Sequence, residues 1–515
     1  MGSAFRRESP LLVGVAVSCA WLWYLGRAFV PMDWPGGFDW ERYLRETWAY
    51  LHPGTMNSTW LEPLYPYLLG SLGPHLGWSW AGMLISSVAL VMVIVGAALL
   101  GRSLAGPWVG AVAALSIPLT PQLAAASRWV NLYPLLSGTT ALGLAGVVGM
   151  ARWRTWPWAV LGGVGTGLAW AIDGRTVTLL PGFVLLGLTG VVVAGGRLRS
   201  TVMLVLFTGG LALGPILQNE LRVVPREKTA EVAEILRGIE LSKLRNSPNA
   251  SLRTACQHEP SAVISIEGLL QPCASALQAD NSGRVDEGLP WGLALTLLML
   301  PLAMLPGRGT RRQTWIALLA IVPFVGMTVA MSRWIIVTPR YMMQIAAPAA
   351  VVVPLAAAQV WGTFLRHRRF RQLAPIAPLV ALAWTWKGGP MHAAVEPLER
   401  SSTYRMMAPI VELIETEVSG DAVLLDCSES HVEVAVLPRS LHGGARNHEG
   451  HDWERCADWL VDPEGQSDAY MIVGNRTKVR GVRGLSLPPP WLQVLRRDGQ
   501  GQQIAVWKLD AAFNP

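Results

Sequence analysis

Four arginines lie at the ends of apolar segments, where an ionisable side chain is costly and usually pairs, faces a cavity or lines a site. They are Arg128, Arg175, Arg333 and Arg340. Arginine is well suited to phosphate because its planar guanidinium stays charged and donates two hydrogen bonds at once. The cluster therefore predicts a site for the anionic headgroup of a lipid.

Carboxylates accompany these arginines. Asp173 precedes Arg175, and the first long connection between apolar segments contains Asp39, Glu41 and Glu62. A carboxylate held at a membrane surface can remove a proton from an acceptor hydroxyl or amine. We therefore expect Asp39 to act as a general base.

Structural roles compete with these interpretations. Asp39 also suits the N-cap of the helix that follows it. Arg128 could extend along the interface beside Trp129, and Asp173 could simply pair with Arg175. Arg333 could be solvated in a short turn, whereas Arg340 follows Pro339 at the start of an apolar segment and is harder to explain in that way.

Composition identifies the setting as a membrane. The 515-residue chain is 51% hydrophobic and 15% charged, whereas soluble domains carry about 25% charged residues. Only five of its 42 basic residues are lysine, the arginines fall largely in short connections, and its 24 tryptophans suit the bilayer interface. We expect a multi-pass membrane protein that binds membrane lipids and no nucleic acid.

Apolar blocks of about 20 residues predict transmembrane helices. About eleven blocks qualify, some of them short or interrupted by proline. They lie near 10–30, 80–100, 107–122, 131–150, 157–172, 176–195, 201–217, 290–305, 314–331, 339–361 and 373–387.

Arginines in alternate connections orient these helices. By the positive-inside rule, the face that carries them is cytoplasmic. The amino terminus is then inside as an uncleaved anchor, and an odd number of spans puts the carboxyl terminus outside. The arginines are Arg6, Arg7, Arg102, Arg152, Arg154, Arg197, Arg199, Arg308, Arg311, Arg312, Arg366, Arg368, Arg369 and Arg371.

Two outer loops and a tail remain. A membrane domain over 1–387 carries outer loops at about 31–79 and 218–289, and 388–515 forms the tail. Helical periodicity over Tyr404–Val418 and near Trp453–Leu460 accompanies five strand-like runs, which predicts a small extracytoplasmic α/β domain. The runs are Ala422–Cys427, Val432–Leu437, Ala469–Val473, Trp491–Arg496 and Ile504–Leu509.

Cysteines on the predicted outer side could form disulfides, which persist in an oxidising compartment. The pairs would be Cys256–Cys273 and Cys427–Cys456, with Cys19 left as a buried thiol. We expect no resident metal or other cofactor, although a divalent cation stays open. The loose spacing of His442, His448, His451, Asp452 and Cys456 fits a surface loop better than a zinc site.

The first outer loop also carries a family resemblance. Asp39 is followed by Trp40-Glu41-Arg42-Tyr43, and a helix with Trp40, Leu44, Trp48 and Leu51 on one face would lie flat on the bilayer. Glu62-Pro63-Leu64-Tyr65-Pro66 then leads into the next apolar segment, and Pro339-Arg340-Tyr341 begins a late one. This arrangement resembles the membrane-integral C-type glycosyltransferases, which include protein mannosyltransferases and aminoarabinose transferases.

The resemblance implies a function. It implies transfer of a hexosyl or pentosyl group from a polyprenyl-phosphate-linked donor to a lipid, glycan or protein acceptor at the outer face of a bacterial inner membrane. Asp39 would be the base and Arg340 the phosphate clamp, with Glu41, Tyr43 and Glu62 as further candidates and Tyr341 beside the clamp. Asn131 stands where relatives often carry Asp. A transporter or flippase of a lipid-linked glycan, or a catalytically silent membrane scaffold, is the alternative.

Overall fold

Helices make up most of the structure, a computed structural model. It describes residues 2–29, 43, 46–47, 50–51, 61–76, 78–118, 130–223, 344, 346–364, 423–427, 469–474, 487, 491–499 and 502–510. The helices are α1 (Gly2–Phe29), α2 (Leu64–Leu76), α3 (Trp78–Ala105), α4 (Pro107–Ser116), α5 (Leu132–Trp153), α6 (Trp156–Ile172), α7 (Leu180–Ala194), α8 (Arg197–Glu220) and α9 (Ala346–Phe364), with a 3-10 turn at Gly174–Thr178.

Several of these helices are suited to a bilayer. Three are long and apolar enough to cross one, namely α3 from Trp80 to Ala105, α5 and α8, and shorter apolar stretches occupy α4, α7 and α9. The helices α1 and α3 to α9 coincide with eight predicted spans. A multi-pass helical membrane protein is therefore confirmed. The predicted spans at 290–305, 314–331 and 373–387 lie outside the described residues, so a count of eleven stays a prediction.

The helices run alternately up and down between two ends. At one end, the Arg102 guanidinium donates two hydrogen bonds of 2.8 Å to the Glu8 carboxylate, which joins the end of α3 to the start of α1. The indole of Trp153, at the end of α5, donates a hydrogen bond to the Ser103 hydroxyl. The Arg102 guanidinium lies over the same indole, with its Cζ atom 5.0 Å from the ring centroid. We call this the basic end, because the junctions that carry Arg102, Arg152, Arg154, Arg197 and Arg199 all meet there.

Glycines let α5, α6 and α8 approach to backbone contact. A Cβ atom on Gly146 of α5 would collide with the backbone of Gly162 in α6. One on Gly210 of α8 would lie 2.6 Å from the backbone nitrogen of Val164 in α6. Such close packing is typical of helices in a membrane, where small residues replace the hydrophobic effect as the means of association. In α5, 94% of the apolar window is buried inside the protein, against 22% in α8.

Local signals place the helix boundaries. Pro107 begins α4 at a position where a proline loses no helical hydrogen bond. Asn131 caps α5, its side-chain oxygen accepting a 2.9 Å hydrogen bond from the Tyr133 amide. The same helix ends where Arg154 adopts a left-handed conformation with φ 57° and its amide donates to the Met150 carbonyl.

Four strands in the tail form one mixed sheet, ordered β1-β2-β4-β3. They are β1 (Val423–Cys427), β2 (Ala469–Gly474), β3 (Trp491–Gly499) and β4 (Gln502–Leu509). The first pair is parallel, so residues 428–468 must cross over, and β3 and β4 form an antiparallel hairpin. Four of the five predicted strands are thus present. The run Val432–Leu437 and the two predicted tail helices lie outside the described residues, so the α/β domain and its boundaries stay predictions.

Candidate functional site

The predicted site residues divide by what the structure describes. Side chains are described for Tyr43, Glu62 and Asp173, and for Arg175 only the backbone, within the 3-10 turn. The others lie outside the described residues, and their roles stay predictions. They are Asp39, Glu41, Arg128, Arg333, Arg340 and Tyr341.

Glu62 is a buried carboxylate with an ion partner. It lies two residues before α2 begins, and only 3% of its side chain is exposed. The Arg222 guanidinium donates a hydrogen bond from Nη2 to Glu62 Oε2, and the two residues are 160 positions apart in the chain. One oxygen of the Glu62 carboxylate is therefore occupied by a guanidinium, an arrangement suited to holding the loop in place.

The end of α8 holds Arg222 in place. Gln218, one turn earlier, donates a 2.8 Å hydrogen bond to the carbonyl of Trp170 near the end of α6. Leu221 closes the last turn of α8 with an amide hydrogen bond to Leu217. Arg222 therefore projects from a helix terminus that is fastened to its neighbour, at what we call the Glu62 end of the bundle. A cation at this position also complements the negative end of the α8 dipole.

A short helix in the first loop packs against the start of α2. Tyr43, Glu46, Thr47, Tyr50 and Leu51 are helical, and Thr47 donates to the Tyr43 carbonyl one turn back. We call these residues the loop helix. Its buried face consists of Tyr43, Glu46 and Thr47, whereas Leu51 is partly exposed. Leu51 belongs to the face predicted to lie on the bilayer. The side of the loop helix that faces the protein is the adjacent one, with Tyr43, Glu46 and Thr47.

Both backbone groups of Leu61 are bound by side chains of the loop helix. The Leu61 amide donates to the fully buried Glu46 carboxylate at 3.0 Å, and its carbonyl accepts from the Tyr50 hydroxyl at 3.3 Å. Since Leu61 is adjacent to Glu62, these contacts fix the backbone that carries the ion pair. The loop helix, Glu62 and Arg222 thus form one continuous chain of polar contacts.

Two tyrosines add an aromatic contact to this arrangement. The Tyr43 and Tyr65 rings meet edge to face, with centroids 5.7 Å apart. Tyr65 is fully buried, and among the described residues its hydroxyl has no hydrogen-bond partner. Burial raises the pKa of the Tyr65 phenol, so the group stays neutral and remains a potential donor.

Asp173 lies at the same end of the bundle. It follows α6 directly, it is 6% exposed, and its backbone begins the 3-10 turn by accepting a hydrogen bond from the Thr176 amide. The Thr176 hydroxyl donates to the Ala169 carbonyl at 3.0 Å, which closes the turn over the end of the helix. Glu46, Glu62 and Asp173 thus place three buried carboxylates at one end, with Arg222 beside Glu62.

The sequence prediction overlooked three of these residues. Arg222 has the same signal as Arg340, an arginine at the predicted outer end of an apolar segment, and could have been found from it. Glu46 lies one turn from Tyr43, but only the contact with Leu61 reveals its partner. Tyr65 belongs to the Glu62-Pro63-Leu64-Tyr65-Pro66 motif, and that motif gives no sign of its contact with Tyr43.

The arrangement can hold a loop and present charge. It offers no group of three His, Cys, Asp or Glu side chains able to hold a metal ion, as far as the described residues extend. Its buried carboxylates and guanidinium lie where the loop that contains Asp39 meets the helices. Chemistry carried out by that loop would depend on these contacts for its geometry.

Comparison with known proteins gives results at the level of structure only. No protein-family model matches the chain, and no curated protein sequence is significantly similar to it. ArnT from Cupriavidus metallidurans bound to undecaprenyl phosphate has a TM-score of 0.55 and 12% identity, covering 96% of this chain and 97% of that one. The apo state of ArnT has the same TM-score and coverage at 13% identity.

A more distant similarity is to the Archaeoglobus fulgidus oligosaccharyltransferase in the apo form, with a TM-score of 0.49, 13% identity, and coverage of 91% of this chain and 69% of that one. The resemblance to membrane-integral C-type glycosyltransferases is confirmed at the level of the fold by ArnT, which is matched over nearly the whole of both chains.

Proposed function

We propose that this protein is a membrane glycosyltransferase that moves a sugar from a polyprenyl-phosphate-linked donor to a lipid, glycan or protein acceptor. The observation that carries the proposal is the fold, shared along nearly the whole chain with a protein whose structure contains undecaprenyl phosphate. Buried charge at one end of a helical bundle supports it, because such groups in a membrane protein usually serve a site.

The proposed chemistry uses two predicted residues. The Asp39 carboxylate takes the proton of an acceptor hydroxyl or amine while the acceptor atom attacks the anomeric carbon of the donor. The bond between that carbon and the phosphate oxygen breaks, and polyprenyl phosphate leaves with the electron pair. Arg340 would hold the phosphate and stabilise the charge that develops on it, as preorganised donors do. Inversion at the sugar is the simplest stereochemical outcome.

The predicted orientation suits this chemistry. With the basic end in the cytoplasm of a bacterial cell, the Glu62 end and the first loop face outward, where no nucleotide donor is present. A lipid-phosphate sugar needs only charge stabilisation as its glycosidic bond breaks. Arg128, Arg175, Arg333 and Tyr341 are proposed to contribute to binding the donor.

The first test is transfer by the purified protein. Labelled polyprenyl-phosphate sugars and a membrane extract as the source of acceptor are supplied to wild type and to Asp39→Asn. We expect Asp39→Asn to lower kcat by roughly 10²- to 10⁴-fold, the usual contribution of a general base. Asp33→Asn is the matched control, since Asp33 lies in the same loop and also precedes a tryptophan, and it should leave the rate unchanged.

Three outcomes would overturn parts of the proposal. An Asp39→Asn rate equal to wild type removes the base. Movement of labelled lipid across a vesicle membrane without covalent transfer identifies a transporter instead. If the protein neither transfers nor transports any donor, the scaffold alternative is favoured.

A further inference from the structure

Glu62 entered the sequence prediction as a catalytic candidate, and the structure gives it a different setting. It is 97% buried and ion-paired with Arg222, a residue far away in the chain. The contact joins the segment before α2 to the residue just beyond the end of α8, two parts of the chain that are far apart in sequence. This position favours a role in fixing geometry.

We propose that Glu62 and Arg222 form a positioning pair that fixes the first loop to the end of α8 and thereby sets the place of Asp39. The inference rests on the proposed function. Glu62 acts through Arg222 and through its own backbone, and neither residue takes up the acceptor proton.

The contacts lead from the pair to the loop in two steps. Leu61, adjacent to Glu62, is bound at its amide by Glu46 and at its carbonyl by Tyr50. Tyr65, one turn after Glu62, contacts the Tyr43 ring. The loop helix is thus attached to the segment that carries Glu62 at three points.

Asp39 is close to the loop helix along the chain. It precedes Tyr43 by four residues, so the chain alone keeps the two Cα atoms within about 14 Å of each other. Through this short connection a displacement of Tyr43 would be passed on to Asp39. Since a catalytic group misplaced by about 1 Å can cost about 10²-fold in rate, a modest loosening of the pair is enough to lower activity.

The pair also joins two parts of the molecule that are held in place by different contacts. Arg222 lies just beyond the end of α8, which is fastened to α6 by Gln218 and packs against it through glycines. Glu62 belongs to the loop segment that leads into α2. Gly70 of α2 lies against the loop helix, since a Cβ there would be 3.1 Å from Leu51. The ion pair therefore connects the loop helix and α2 to the spanning helices α6 and α8.

Removing Arg222 leaves the buried Glu62 charge without its partner, whereas removing both charges is far less costly. This asymmetry gives a test that separates a positioning pair from a base. The variants are Glu62→Gln, Arg222→Gln and the double variant, which removes both charges together. The control is Glu8→Gln, which breaks the part-exposed pair with Arg102 at the basic end.

Two readouts are measured on the full-length protein in nanodiscs. Hydrogen exchange of peptides over residues 43–51 and 61–70 reports attachment of the loop without any reaction. Transfer kinetics with labelled donor report kcat and KM. Each single variant should raise exchange in both peptides by on the order of a hundredfold and lower kcat by about tenfold or more. The double variant should recover most of the exchange protection and most of kcat. Glu8→Gln should change neither the exchange of these peptides nor kcat.

A base would behave differently. If Glu62 took up the acceptor proton, removing Arg222 as well could not restore kcat, and a double variant as inactive as Glu62→Gln would overturn the inference. Unchanged exchange in the single variants would overturn it too. If wild type transfers no sugar from any donor while exchange responds as expected, the proposed function fails and the attachment of the loop stands.

Discussion

At the scale of single residues, neighbours outside the local sequence decide what a charged side chain can do. Glu62 and Asp39 both read as loop carboxylates, but Glu62 is buried against Arg222 and serves to hold the loop. The same applies to Glu46, whose carboxylate is occupied by the Leu61 amide. Asp39 lies outside the described residues and remains the proposed base.

Asn131 illustrates a residue with a local structural role. It is fully buried, and it caps α5 by accepting a hydrogen bond from the Tyr133 amide. An uncharged cap avoids the cost of burying a carboxylate at this position.

We expect Asn131→Ala to lower the free energy of unfolding by about 1 kcal/mol, the usual value of an N-cap. Asn131→Ser should retain most of the stability, because serine caps helices about as well. Thermal unfolding of the detergent-solubilised protein, followed by tryptophan fluorescence, measures both. Equal midpoints for the alanine variant and wild type would mean that the cap contributes nothing.

At the scale of elements, glycine determines how closely the helices pack. The neighbours Gly209 and Gly210 of α8 differ in their surroundings. A Cβ on Gly210 would meet the backbone of Val164 and Gly163 in α6, whereas one on Gly209 would meet nothing within 4 Å. The contact matters for the site because the same helix carries Arg222 at its end.

Gly210→Ala should therefore cost roughly 1–3 kcal/mol, since α8 must move away from α6 to make room. Gly209→Ala should be neutral or stabilise the helix by up to about 1 kcal/mol, because alanine is the better helix former. Thermal midpoints of the two variants, measured side by side, test this. Equal destabilisation of both would contradict the packing described for α6 and α8.

The loop helix shows how an amphipathic pattern can mislead. The apolar face with Trp40, Leu44, Trp48 and Leu51 was predicted to lie on the bilayer, and Leu51, the member of that face that the structure describes, lies against Gly70 of α2. The pattern gave no sign of the adjacent face, where Tyr43, Glu46 and Thr47 are buried against the protein. A helix at a membrane surface has a face toward lipid and another toward the protein, and the second can be polar.

At the scale of the whole molecule, the charge distribution follows the alternation of the helices. The arginines of three helix junctions lie at the basic end, where Arg102 is paired with Glu8 and lies over Trp153. The Glu62 end carries buried carboxylates instead. The positive-inside rule assigns the end that is rich in arginine to the cytoplasm, so this asymmetry supports a cytoplasmic basic end.

The orientation can be tested with two exposed positions. Val177 in the 3-10 turn at the Glu62 end and Trp156 at the start of α6 both have exposed side chains. In intact cells, a membrane-impermeant maleimide should label Val177→Cys above the level of the parent protein. Trp156→Cys should become labelled only after the cells are permeabilised. The reverse pattern would invert the proposed topology.

The sequence by itself determined the class of molecule and the placement of its spans. Apolar runs of membrane-crossing length, such as 80–100 and 131–150, became α3 and α5, because a lipid environment forces the backbone to satisfy its own hydrogen bonds within a helix. Short strand-like apolar runs likewise predicted the segments that became β2 and β4. In these cases the decisive physics is local to the segment.

Only the tertiary structure decided which distant residues meet. Nothing near Glu62 in the chain indicates Arg222, and nothing near Leu61 indicates that Glu46 and Tyr50 would bind its backbone. The start of α2 also lies inside a region predicted as a loop, because its 13 residues are too few to read as a span. These contacts depend on how helices pack across the chain, and a pattern within one segment carries no information about the partner that will neutralise its charge.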